Sequence, residues 1–201
     1  MYQNIDRSNI YDTIFHLMVL ETMNYILKKE NLEINLKISQ IDEIGSHLGE
    51  RITNHLLNKN NLSTSTKMEV DEIMKFLGRD VWLFLFSKQI TKLQTNRKGT
   101  FLIDCDELKF HHCLISEKNN LNENIEIILS FICGIIKGVL GTFNHECNVT
   151  ATFKIQPIIN LLLNVSNPLT IDNKNNYNTT NSPTQPQNAC SYSFTISLLN
   201  I

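Results

Sequence analysis

The sequence has no paired cysteine spacing, no basic block and no signal-peptide pattern, and each absence excludes a class of protein. Its five cysteines, Cys105, Cys113, Cys133, Cys147 and Cys190, are an odd number at irregular intervals. That pattern fits buried free thiols in a reducing compartment rather than a disulfide framework. A formal net charge of −2 without clustered Lys or Arg argues against nucleic-acid binding, which leaves a concentrated positive footprint. Asp6 and Arg7 sit just before an amphipathic stretch, where a secretory leader would place its apolar run. The longest uncharged apolar run of the C-terminal half, Ile127 to Ile136, is far short of a membrane span. Asn-x-Ser/Thr triplets such as Asn148-Val149-Thr150 are expected by chance in so Asn-rich a chain. These absences describe a soluble protein of the cytoplasmic side.

What is present fits one folded domain spanning 1–201, with 42% hydrophobic residues and enough mass for a real core. The segment from Thr66 to Ile103 is the most informative. Thr66-Lys67-Met68-Glu69 reads as a capping box, and no proline follows as far as Leu93. Val70, Ile73, Met74, Leu77, Val81, Phe84 and Leu85 recur at three and four, predicting one face of a helix about 35–40 Å long. Thr95-Asn96-Arg97-Lys98-Gly99 is a polar turn in which Gly99 takes positive φ without steric cost. Thr100 to Cys105 then has strand composition.

Three other helices are expected. Ile10 to Lys29 carries apolar residues on more than one face: Ile10, Ile14, Leu17 and Met18, with an outer set of Phe15, Val19, Met23, Ile26 and Leu27. Such a helix suits either a core or a partner interface. Ile38 to Leu57, capped by Ser39, places Ile41, Ile44, Leu48, Ile52 and Leu56 in register, with Gly45 and Gly49 on one face. Asn124 to Thr142 is too apolar for a surface helix. Its Gly134, Gly138 and Gly141 cost up to about 1 kcal/mol each in helix propensity, so close approach of another element is the compensation. Leu108–Ile115, Val149–Phe153 and Ser191–Leu198 read as strands, the last with Tyr192, Phe194, Ile196 and Leu198 on one face. The periodicities give an α/β (α+β) domain, a four-helix layer packed with a small antiparallel sheet.

No catalytic constellation emerges. His111-His112-Cys113 and His145-Glu146-Cys147 lack the paired spacing of a metal site, and neighbours on a strand point to opposite faces. Gly134-Ile135-Ile136-Lys137-Gly138 sits inside a helix and lacks the Gly-Lys-Ser/Thr ending of a phosphate loop. Cys133 lies among Ile and Phe, where a thiol is inert. Arg79-Asp80 and Glu50-Arg51 are either interface ion pairs or solvated charges, and Trp82 is either core or an interface anchor.

Several strings carry a family resemblance. Lys75-Phe76, Arg79-Asp80-Val81-Trp82, Phe86-Ser87-Lys88-Gln89, Thr95-Asn96 and Gly99 resemble the core of the small subunits of TRAPP, the transport protein particle, most nearly its subunit-six branch. Gly45-x-x-Leu48-x-Glu50-Arg51 and Phe131-x-Cys133-Gly134-x-x-Lys137-Gly138-x-Leu140 resemble two further strings of that family. Gly78 departs from the Cys found there in the family.

The resemblance implies the TRAPP small-subunit fold over about residues 8–157 and 189–200. It also marks the stretch 158–188, Asn-, Thr-, Ser- and Pro-rich in its later part, as a low-complexity insertion at a strand connection. It implies a non-catalytic structural subunit with no cofactor and no metal. Such a subunit pairs with a subunit-three-type TRAPP chain and joins other TRAPP subunits, and the assembled particle acts on a Rab GTPase as its guanine-nucleotide exchange factor. The expected location is cytoplasmic, peripheral on ER–Golgi intermediate and Golgi membranes through the complex. The subunit-three branch carries an acylated Cys in the loop before the central helix, whereas 58–70 here has none. Ile14, Leu17, Met18, Ile44, Leu48 and Arg51 are the candidate partner-interface residues. The rival reading is a small-molecule or lipid sensor of related fold, with an apolar channel between the last helix and the sheet.

Overall fold

The computed structural model describes residues 7–29, 31–60, 68–106, 121–156 and 189–199. In chain order the helices are α1 (Arg7–Leu27), α2 (Ile34–Lys59), α3 (Val70–Phe76) and, after a π turn at Leu77–Val81, α4 (Trp82–Phe86), then α5 (Leu121–Thr142). The strands are β1 (Lys92–Thr95), β2 (Thr100–Asp106), β3 (Cys147–Gln156) and β4 (Ala189–Leu198). They form one antiparallel sheet in the order β1-β2-β4-β3, so the last strand lies between the second and third.

The expected strand at Leu108–Ile115, the insertion at 158–188 and His111, His112 and Cys113 lie outside the described residues. Within them, helices packed on a small antiparallel sheet are as expected, but several boundaries are not. Helix α2 begins four residues early, after Glu33, which makes no side-chain cap, and Ser39 is inside the helix. The capping box of the central helix is Glu69 with Glu72: the Glu69 side chain accepts from a backbone N–H, and the Glu69 N–H donates to Glu72 Oε2 at 3.2 Å. The helix therefore starts three residues late. It also stops early, at Ser87, whose φ of 54° breaks the ladder. Seventeen residues from Val70 to Phe86 give about 25 Å, not the expected length. The chain freed by that stop becomes β1, paired along its whole length with β2.

The turn joining these strands shows why its sequence is Thr-Asn-x-x-Gly. Asn96 Oδ1 accepts from the backbone N–H of Lys98 at 2.7 Å and of Thr100 at 3.0 Å, and Thr95 Oγ1 accepts from that of Arg97 at 3.0 Å. Gly99 closes the turn at φ 79°. Across the sheet, Phe101 pairs with Ile196, Ile103 with Phe194 and Cys105 with Tyr192, all buried on one face. The other face carries polar pairs, including Ser193 Oγ donating to Asp104 Oδ1 at 2.7 Å. Trp82 is buried in the core, 5.0 Å from Phe86 and 5.8 Å from Phe194 between ring centres, and is no surface anchor.

The backbones of α2 and α5 meet directly. A Cβ built on Gly45 or Gly49 would overlap the carbonyl oxygens of Phe131 and Ile135, and one on Gly134 or Gly138 those of Asp42 and Ser46. Four glycines thus alternate across the seam, each presenting a hydrogen where any other residue presents a carbon. Contacts of that kind contribute about 0.5–1 kcal/mol each, against about 1 kcal/mol lost per helical glycine. The seam alone roughly breaks even, and the gain is the side-chain packing that close approach permits. Gly141 does not belong to it; nothing lies within 4 Å of its Cβ position. The family-like strings that contain Gly45 and Gly134 are the two sides of this seam. Ile125–Thr142 of α5 is long and apolar enough, by length and composition, to cross a membrane, yet most of it is buried between α2 and β3.

Candidate partner interface

Helix α1 buries Val19, Met23 and Ile26, members of the outer set, toward the core. The consequence is that Ile14, Leu17 and Met18 face away from it, at 49%, 58% and 66% exposure. Ile44 on α2 is exposed, Leu48 half-buried and Arg51 exposed. All six predicted interface residues therefore lie at least partly at the surface. Met18, Ile44 and Leu48 also meet around one feature, a groove of about 210 Å³ between α1 and α2 whose floor includes Phe15, Met23, Ile41 and Phe131.

The chemistry of the groove is almost wholly apolar. Its one hydroxyl, Thr22 Oγ1, already donates to the Met18 carbonyl oxygen at 2.8 Å, one turn back along α1. The groove thus offers apolar area and no waiting polar group. On α2, Glu43, His47, Glu50 and Arg51 are exposed beside these residues. An apolar centre with a charged margin is the anatomy of a protein–protein contact.

Two exposed apolar residues were missed by sequence reasoning. Phe84 belongs to the expected core face of the central helix, but it is 48% exposed, and its neighbour Leu83 is 47% exposed. The π turn is the cause. It inserts one residue into the helical repeat and rotates the residues after it by about 100°, so Val81, Trp82, Leu85 and Phe86 become the buried set. The Phe84 ring lies 5.9 Å from that of His55 on α2. Gly78 sits buried inside the π turn, its Cβ position filled by the Ile90 side chain.

The groups with chemical potential do not assemble. Burial pushes the thiols of Cys105 and Cys133 up to about 12 and that of Cys147 up to about 11. Among the described residues no three His, Cys, Asp or Glu side chains converge to hold a metal ion. Arg79 pairs with its neighbour Asp80, Nη2 to Oδ2 at 3.0 Å, on the surface. Lys137 on α5 donates to both carboxylate oxygens of Asp42 on α2, at 2.8 and 3.0 Å, which fastens the glycine seam.

Comparison with known proteins bears on the family and the fold. The family model described as transport protein particle (TRAPP) component matches residues 15–165. Trafficking protein particle complex subunit 6b of Danio rerio is 26% identical over 148 residues, 73% of this chain and 91% of that protein. Subunit 6A of Homo sapiens is 31% identical over 115 residues, 57% of this chain and 67% of that protein. Among solved structures, a trafficking protein particle complex subunit 3 from Naegleria fowleri, described as covalently bound to palmitic acid, superposes with a TM-score of 0.60. At 13% identity, over 95% of this chain and 96% of that one, this is a likeness of fold.

Proposed function

The chain belongs to the TRAPP component family, in its subunit-six branch, and we propose that it serves as a non-catalytic structural subunit of the TRAPP vesicle-tethering complex. In this reading it pairs through α1 and α2 with a subunit-three-type TRAPP chain, and the pair joins the remaining subunits. The assembled particle exchanges guanine nucleotide on a Rab GTPase in ER–Golgi and Golgi transport. The chain's part is to position neighbours, and it reaches the cytoplasmic face of those membranes only through the complex.

The observation that carries this reading is the apolar face across α1 and α2. Met18, Ile44 and Leu48 line a groove that no described part of the chain fills, and Ile14 and Leu17 are exposed on the same helix as Met18. These side chains are already about half covered, so burying the remainder of each contributes on the order of 1 kcal/mol when a partner covers it. Purifying the tagged chain from its own cells and identifying what travels with it tests the proposal. A subunit-three-type chain and other TRAPP subunits in stoichiometric amount are the expected result. Recovery of the chain alone would overturn it.

The sensor reading finds less support. Ile127, Ile132, Ile135, Ile136, Val139 and Leu140 of α5 are fully buried by protein. The α1–α2 groove offers no free polar group to fix a small ligand. Native mass spectrometry of the purified chain distinguishes the two readings, since the sensor requires a bound hydrophobic molecule.

A further inference from the structure

We infer that the partner face does not end at the α1–α2 groove but runs along α2 onto α4, where Leu83 and Phe84 form its far end. This rests on the proposed pairing with a TRAPP-type chain and identifies which further surface that chain covers.

Four residues of α2 define the path. Ile44, Leu48, Arg51 and His55 follow one another at intervals of four, three and four, which places them within one narrow stripe of the helix. The stripe starts at the groove, which Ile44 and Leu48 line. It finishes at His55, whose ring lies against Phe84. Helices α1 and α4 thus flank the same side of α2 at its two ends, and apolar side chains are exposed at both.

Size argues that one partner spans the two ends. Neighbouring helices lie about 9 Å apart and each is about 10 Å across, so the patch at the groove is about 20 Å wide. A stable pair of chains buries about 800 Å² on each side, an area about 28 Å square. Among the side chains of α1 that the structure describes, the exposed aliphatic ones run from Ile14 to Met18, about 6 Å along the helix. The stripe from Ile44 to His55 adds about 16 Å and takes the face toward that size, of which the groove alone falls far short. The π turn gives an independent indication. It takes Phe84 out of the expected core face and leaves it with Leu83 beside this stripe, apolar area whose burial by a partner lowers free energy.

The test compares wild-type chain with Leu83→Glu and Phe84→Glu, each made singly, in recovery of the subunit-three-type partner, with melting temperatures of the free chains as a folding control. Oxidative footprinting of Phe84 in the wild-type chain, free and in complex, requires no substitution. The inference expects at least a tenfold loss of partner in the variants at unchanged melting temperature, and protection of Phe84 in the complex. Wild-type recovery of the partner with unimpaired variants and an unprotected Phe84 would overturn this inference and leave the pairing standing. Loss of a different protein while the TRAPP-type partner is retained would overturn the claim that one partner spans the face. If the wild-type chain recovers no TRAPP-type partner, the proposed pairing fails and this inference fails with it.

Discussion

Asp42 on α2 is held twice by α5. Its carbonyl oxygen receives the Gly134 backbone, while its carboxylate takes Lys137 Nζ at 2.8 Å one turn further along. Contact and charge therefore fix the same register between the two longest helices. That register matters for the proposed pairing because α2 carries Ile44, Leu48 and Arg51 on the side turned away from α5.

The seam predicts a contrast between two glycines of one helix. Gly138→Ala drives a methyl group into the Ser46 carbonyl and should destabilise the fold by about 1–3 kcal/mol or more. Gly141→Ala meets open space and should be neutral or stabilise by up to about 1 kcal/mol through helix propensity. Urea unfolding midpoints of the two variants check this, and equal effects would refute the seam.

The Asp42–Lys137 pair is partly exposed, at 27% and 35% for the two side chains, so its contribution should be modest. Solvent screening limits such a pair to about 1 kcal/mol. A double-mutant cycle with Asp42→Asn and Lys137→Met should give a coupling of that size, falling in high salt. A coupling of zero would mean that the glycine contacts alone hold the register.

The buried thiols predict a loss of stability at alkaline pH. An unfolded thiol ionises near its ordinary value of 9, whereas burial keeps Cys105 and Cys133 protonated up to about 12 and Cys147 up to about 11. Between those values the unfolded state binds fewer protons than the folded one, so stability is full below pH 9 and falls as pH rises toward 12. The slope of unfolding free energy against pH should flatten when the three are replaced by Ala or Val. At neutral pH, thiol reagents should label Cys147, the least buried of the three, before Cys105 and Cys133.

Much of this fold was legible in residue spacing, and the exceptions have physical causes. Helix α5 and strands β2 and β4 announce themselves because each buries a continuous face, Ile135 to Leu140 in one and Tyr192, Phe194 and Ile196 in another. The glycines of α2 and α5 indicated close approach, though not that Gly141 stands apart. Two features left no signal. The π turn at Leu77–Val81 has no sequence signature of its own, so Phe84 read as core. Strand β1 is four residues of unremarkable composition, and its pairing depends on a helix stop at Ser87 that propensity does not mark. Helix α1 was ambiguous for another reason. Both Leu17 and Met23 are apolar, and only packing decides that Met23 turns inward.

The most direct test of the account is the effect of charge on the α1 face. Leu17→Glu with Met18→Glu alters two exposed side chains and should leave the melting temperature of the free chain within a few degrees of wild type. Quantitative recovery of TRAPP subunits by the tagged variant, against the tagged wild-type chain from the same cells, is the measurement to make. The account predicts that the subunit-three-type chain falls at least tenfold and the other subunits fall with it. Unchanged recovery of that chain by a folded variant would contradict the account and require a different surface for assembly.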